Sequence, residues 1–175
     1  MSHAPETPPD THPDSDPSAG LIASRRDFHD ALRTAFKLAA DVGCRELWLC
    51  DADFADWPLG DAGVVEHLRQ WAGSQRRLTL LASSFDEVAR RHPRWVAWRR
   101  SWSHVVQCRT NSVIEAAAFP TLLLASGLVS VRLSDPVHHR GRISTNAGNE
   151  VRCRELIDAV SQRSQESFPV TLTGL

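Results

Sequence analysis

The sequence has little that would place it in a membrane or an oxidising compartment. Among its 175 residues no apolar run approaches the roughly 18 or more that a spanning helix needs. No basic segment followed by an apolar stretch opens the chain, so no secretory signal is expected. The four cysteines, Cys44, Cys50, Cys108 and Cys153, show no Cys-x-x-Cys spacing. That argues against a zinc or dithiol motif and for buried, reduced thiols. The expected compartment is therefore the cytoplasm. There is no Gly-x-Gly-x-x-Gly and no Walker loop, so no nucleotide cofactor is expected. Gly-x-Ser-x-Gly is absent as well, which removes the hydrolase elbow. Neither a metal nor any other cofactor is called for. Lysine is almost missing: Lys37 is the only one among 20 basic residues, a bias that fits a GC-rich bacterial genome better than it fits a function.

What is present describes one ordinary globular domain. The hydrophobic fraction of 42% and charged fraction of 23% are those of a folded chain with a real core. Charge is placed unevenly. Glu6, Asp10, Asp14 and Asp16 lie in the first twenty residues with no Lys or Arg beside them, so the remainder is mildly basic. The same segment holds Pro5, Pro8, Pro9, Pro13 and Pro17, and Met1 is its only large apolar side chain. Such a stretch buries too little to offset the entropy of ordering, so residues 1–20 are expected to form a disordered tail and 21–175 a single domain.

Periodicity assigns the elements. Ser24 and Asp27 suit a helix start, and Phe28, Ala31, Leu32, Ala35, Leu38, Ala39 and Val42 recur on one face until Gly43. Arg45 to Cys50 reads as a buried central strand. Asp61 precedes a second helix, and Leu78 to Ala82 forms a second strand. Ser84 opens a third helix that Pro93 interrupts. Val105, Val106 and Cys108 mark a third strand. Thr121 to Ala125 and Leu128 to Leu133 flank a Ser-Gly turn, the signal of a hairpin. A last helix starts near Asn149. The expected class is α/β, a mixed sheet flanked by helices in the order α-β-α-β-α-β-β-β-α.

Four blocks carry a resemblance: Gly43 to Trp57, the helix end Leu68-Arg-Gln-Trp71, the strand Arg77 to Ala82, and the hairpin Pro120 to Arg132. Over residues 22–165 the chain resembles one half of the phospholipase D-like fold, and a bacterial domain of that fold found alone or fused to an acetyltransferase. Active members carry His-x-Lys-x4-Asp on the hairpin, where the His attacks phosphorus and the Lys holds its oxygens. Here those positions are Phe119, Thr121 and Ser126. Of the Gly-Ser-x-Asn element that follows, only Ser134 matches. The resemblance thus implies the fold without its nucleophile. It also implies half of a two-part site, and so a homodimer.

Three constellations remain. Asp51 and Asp53, with Asp56, follow the first strand, where α/β sheets place ligands, and Asp-x-Asp there is also how haloacid dehalogenase phosphotransferases begin. A cluster of turn aspartates is the commoner meaning. His138 and His139 sit in an expected surface loop, where Arg140 and Arg142 would supply anion contacts. Arg90, Arg91, Arg94, Arg99 and Arg100 interleave with Trp95, Trp98 and Trp102, a pattern that single-stranded nucleic acid binding uses, although the i, i+3 tryptophan spacing also marks a core-facing stripe. The leading expectation is a non-catalytic module that binds a protein or itself. A cryptic phosphohydrolase or phosphodiesterase through the aspartates or histidines is the first alternative. A weak nucleic-acid binder through the Arg/Trp segment is the second.

Overall fold

The computed structural model describes residues 20–170. The expected disordered tail, apart from Gly20, lies outside them. Among the described residues eight strands and five α-helices follow one another: β1 (Gly20–Ile22), α1 (Arg25–Val42), β2 (Glu46–Cys50), α2 (Ala62–Trp71), β3 (Arg77–Ala82), α3 (Asp86–Arg91), α4 (Pro93–Ser101), β4 (Val106–Thr110), β5 (Thr121–Ala125), β6 (Val129–Asp135), β7 (Arg140–Ser144), α5 (Ala147–Ser161) and β8 (Gln165–Glu166), with a 3-10 turn at Ala116–Ala118 between β4 and β5. The strands form one eight-stranded mixed sheet in the order β1-β7-β6-β5-β2-β3-β4-β8. β2, β3 and β4 run parallel, joined by helical crossovers, and the remaining pairings are antiparallel. Helices flank the sheet, as the pattern of the sequence implied.

Local chemistry explains the boundaries. The Ser24 hydroxyl accepts from the Asp27 backbone N–H at 3.0 Å, closing the first turn of α1. Gly43 ends α1 at φ 81°, a value that favours glycine. Pro93 has no N–H to give and stands at the first turn of α4, so the helical stretch breaks at His92 into α3 and α4. Gly127, at φ 76°, turns the β5–β6 hairpin. Asp61 precedes α2 but caps nothing with its side chain; its carboxylate accepts from Arg33 of α1 at 2.6 Å instead.

Period-two alternation divides the core between the two faces. Leu47, Leu49, Leu78, Leu80, Leu123, Val129, Val131 and Leu133 pack against α1, α2 and α4. Cys50, Leu81, Leu122 and Leu124 pack against Cys153, Ile157 and Val160 of α5. α5 is one helix on a wide sheet, and on its side β6 and β7 present Ser130, Arg132, Ser134 and Arg142 rather than apolar groups. The four cysteines are buried and unpaired, and burial pushes every thiol up, Cys108 to about 12, so none is a ready nucleophile at neutral pH.

Three strands differ from expectation. Residues Arg140 to Ser144 form β7, not a loop, because the chain pairs on both sides, with β6 and with β1. β1 and β8 are only three and two residues long and exist through those long-range pairings. Gly141 permits the close approach of β7 to β6: a Cβ there would lie 2.0 Å from the Arg132 carbonyl oxygen. Among the described residues no helix is long and apolar enough to cross a membrane.

Candidate functional site

At the end of the sheet where a phospholipase D-like site would form, Asp51 and Asp53 are hydrogen-bonded within the loop after β2. Antiparallel register sets Cys50 against Leu122, which brings Asp51 beside Thr121. The Thr121 hydroxyl donates to Asp51 Oδ1 at 2.7 Å. Asp51 Oδ2 accepts from the backbone N–H groups of Asp53 and Phe54, at 3.2 and 2.8 Å. Asp53 in turn accepts from the Ala55 N–H at 2.9 Å. Both aspartates therefore hold the loop that follows β2, the ordinary use of Asp in a turn. Burial pushes the Asp51 carboxyl above its usual range, and the Thr121 and backbone donors only partly offset it.

The family's catalytic positions carry other residues here. Where the resemblance would place a phosphate-holding lysine, the chain has Thr121 tied to a carboxylate. The position of the nucleophilic histidine is Phe119, 4% exposed and packed in the α5 core. Ser126, at the position of the acid, is half-buried with an unpaired hydroxyl. As for the aspartate route, both Asp51 oxygens accept hydrogen bonds, Oδ1 from Thr121 and Oδ2 from the loop backbone.

The two histidines part company. His138 Nδ1 donates to Asp135 at 2.8 Å within its own turn. His139, held at φ 51°, reaches across the fold and donates from Nε2 to Asp56 Oδ2 at 2.5 Å. Asp56 also pairs with Arg25, and its carbonyl accepts from His29 Nε2 at 2.5 Å. Burial alone would raise the Asp56 carboxyl, but Arg25 and His139 outweigh it and hold the group below its usual value. This cluster clamps the β2 loop, α1 and the β6–β7 turn together over Phe28 and Trp57, whose rings meet edge to face at 5.8 Å. No set of three or more ligating side chains able to hold a metal occurs among the described residues.

The Arg/Trp segment is dispersed. Trp95 and Trp98 are buried and offer no ring face to a base. Arg90 and Arg91 both pair with Glu87. Arg94 donates to the Gly60 carbonyl at 2.8 Å. Arg99 is buried, and Arg100 is exposed.

Cationic groups do converge elsewhere. Arg140 and Arg142 lie on β7, and β6 sets Arg132 directly opposite Arg142. Alternation puts Arg132 and Arg142 on the α5 side of the sheet, where Arg132 lies near Cys153 of the helix. Together with Arg140, Ser134, Asn149 and Leu21 to Ala23 they line an open groove of about 610 Å3. The sequence offered Arg140 and Arg142 as anion contacts; it did not offer Arg132, which strand pairing sets beside them. The alternation Val129-Ser-Val-Arg-Leu-Ser134 was the signal that separates Arg132 from the apolar face.

Neither a protein-family model nor a curated protein matches the sequence. Among solved structures the fold is similar to TrmBL2, an archaeal chromatin protein whose structure is described as showing a novel mode of DNA binding. The TM-score is 0.59 at 8% identity, over 90% of this chain and 56% of that one. The chain thus spans little more than half of TrmBL2. It is also similar to NucT from Helicobacter pylori, with TM-score 0.51 at 6% identity, over 85% of this chain and 98% of that one. Identities this low speak for the fold alone. That fold is a mixed α/β sheet flanked by helices, consistent with one half of the phospholipase D-like architecture.

Proposed function

We propose that the chain is a phospholipase D-like half that binds without turnover, and that its ligand is the phosphate backbone of a nucleic acid. The observation that carries this reading is the groove that Arg132, Arg140 and Arg142 line together. Guanidinium groups spaced along adjacent strands suit a run of phosphates, and the Asn149 amide, which gives one hydrogen to Ser144 at 2.9 Å, has a second to add as a neutral donor. The aromatic stacking expected of the Arg/Trp segment plays no part, so recognition would be electrostatic and tolerant of sequence. The occupants of the family's catalytic positions, Phe119, Thr121 and Ser126, support binding over cleavage. Likeness in fold to a DNA-binding chromatin protein is in keeping with this reading.

Fluorescence anisotropy with a labelled DNA duplex tests it. The full chain should bind at low salt, and Arg132→Ala with Arg140→Ala should weaken binding more than tenfold while the circular dichroism spectrum is unchanged. Equal binding by the double variant would remove the groove as the interface. Phosphodiester hydrolysis abolished by Thr121→Val would overturn the non-catalytic half of the proposal.

Self-association keeps one observation in its favour. Leu21 is 81% exposed on β1, a strand that forms one edge of the sheet among the described residues. Light scattering across a concentration series decides between a dimer and a monomer.

A further inference from the structure

A second cleft lies at the opposite end of the sheet, by the amino ends of β3 and β4, and it contains an unusual charge. Arg99 of α4 is 6% exposed, and among the described residues it is the one Lys, Arg, Asp or Glu that is buried. Its Nε has no hydrogen-bond partner, and no ion pair joins it to a carboxylate among the described residues. A guanidinium cannot shed its proton in a protein, so the charge persists. Its one compensation is the Phe168 ring, with Cζ 4.7 Å from the centroid, and that ring is stacked in turn on Phe85 at 5.5 Å. A cation–π contact recovers only part of what burying an unpaired charge costs.

Arg99 lines a cleft of about 570 Å3 together with Arg77, Ser103, His104, Gln107 and Ser167. That volume falls within the range of small-molecule sites. The lining is rich in donors. Its one acid among the described residues is Glu166, which accepts from Gln107 Nε2 at 3.3 Å. Two guanidinium groups, an imidazole and two hydroxyls exceed what a single carboxylate needs and match a phosphate dianion with three terminal oxygens. We propose that this cleft binds a small phosphate monoester, with Arg99 as the buried anchor and Arg77 at the mouth. The site is separate from the Arg132 groove and stands or falls without it.

Isothermal titration calorimetry on the full chain carrying Arg132→Ala and Arg140→Ala isolates this cleft. The probes are inorganic phosphate and glycerol 3-phosphate, with sodium acetate and sodium chloride at matched ionic strength as comparison. Saturable binding of both phosphates is expected, weakened at least tenfold by Arg99→Met and severalfold by Arg77→Gln. Without phosphate, Arg99→Met should melt at or above the parent temperature, because it removes an unpaired buried charge. A role limited to packing on Phe168 would instead lower the melting temperature and leave phosphate without effect. Arg77→Gln is a change at an exposed position, so it tests the cleft even if Arg99→Met does not fold. No saturable phosphate binding, acetate binding as tight as phosphate, or binding indifferent to both substitutions would overturn the proposal.

Discussion

Replacing Thr121 by valine keeps the side chain's volume and removes the hydroxyl that Asp51 accepts at 2.7 Å. Thr121 is 4% exposed, so water does not readily take the hydroxyl's place. A buried hydrogen bond to a charged group contributes about 1.5–3 kcal/mol. The cost should grow with pH, for a definite reason. Burial already raises the folded-state value of the Asp51 carboxyl, and the Thr121 hydroxyl is foremost among the groups that restrain it. A carboxyl raised in the folded state leaves that state holding more protons than the unfolded one. Stability then falls as pH rises from the unfolded value, about 3.9, through the folded one. Thr121→Val raises the folded value further and widens that window. The expected deficit is about 2 kcal/mol at pH 7.5 and smaller near pH 5. Urea unfolding reads it as a midpoint lowered by about 1 M. Thr121→Ser should restore the midpoint. Asp51→Asn should lie within about 1 kcal/mol of the parent, because the amide still serves both the backbone donors and the hydroxyl and no charge is buried. Valine as stable as threonine at pH 7.5, or the same deficit at both pH values, would refute the reasoning.

Two further outcomes follow from the packing. Gly141→Ala should cost several kcal/mol by thermal unfolding, since its Cβ would lie 2.0 Å from the Arg132 carbonyl oxygen and 2.7 Å from the Leu133 Cα, and backbone must move to admit it. Asp56→Ala should cost about 1 kcal/mol or less at neutral pH, because the carboxylate is 41% exposed and its pairs with Arg25 and His139 are screened. A carboxyl held low in the folded state stabilises above its unfolded value, and that contribution is lost as pH falls through the folded value, so the gap between Asp56→Ala and the parent should close in acid.

The parts of this fold that were legible in the sequence are those fixed by neighbours along the chain. Ser24 and Gly43 bound α1, Pro93 divides two helices, and Ser126-Gly127 turns a hairpin, each through a contact within a few residues. The apolar run Leu47 to Cys50 betrayed a central strand because both of its faces are covered. β7 was not legible, since Arg-Gly-Arg-Ile-Ser has no apolar run and is a strand only because β6 and β1 lie on either side. The same long-range pairing set Arg132 opposite Arg142, ten residues apart around a turn. It also brought Asp56 to His139, 83 residues away. Asp51 could be read as a turn former, but its bond to Thr121 depends on β5 pairing with β2. The arginines of α3 and α4 stand together in the sequence, but the partners they find could not be read there: Glu87 for Arg90 and Arg91, and the Gly60 carbonyl for Arg94.

The central claim is that Arg132, Arg140 and Arg142 hold a nucleic-acid backbone, and the salt dependence of DNA binding tests it most directly. Each phosphate contact on a duplex contributes about −0.9 to the slope of log K against log salt. Comparing the parent chain with Arg132→Ala, Arg140→Ala and Arg142→Ala combined, the account predicts a slope shallower by about 2 to 3. An unchanged slope, or a parent chain that binds no duplex at low salt, would contradict it.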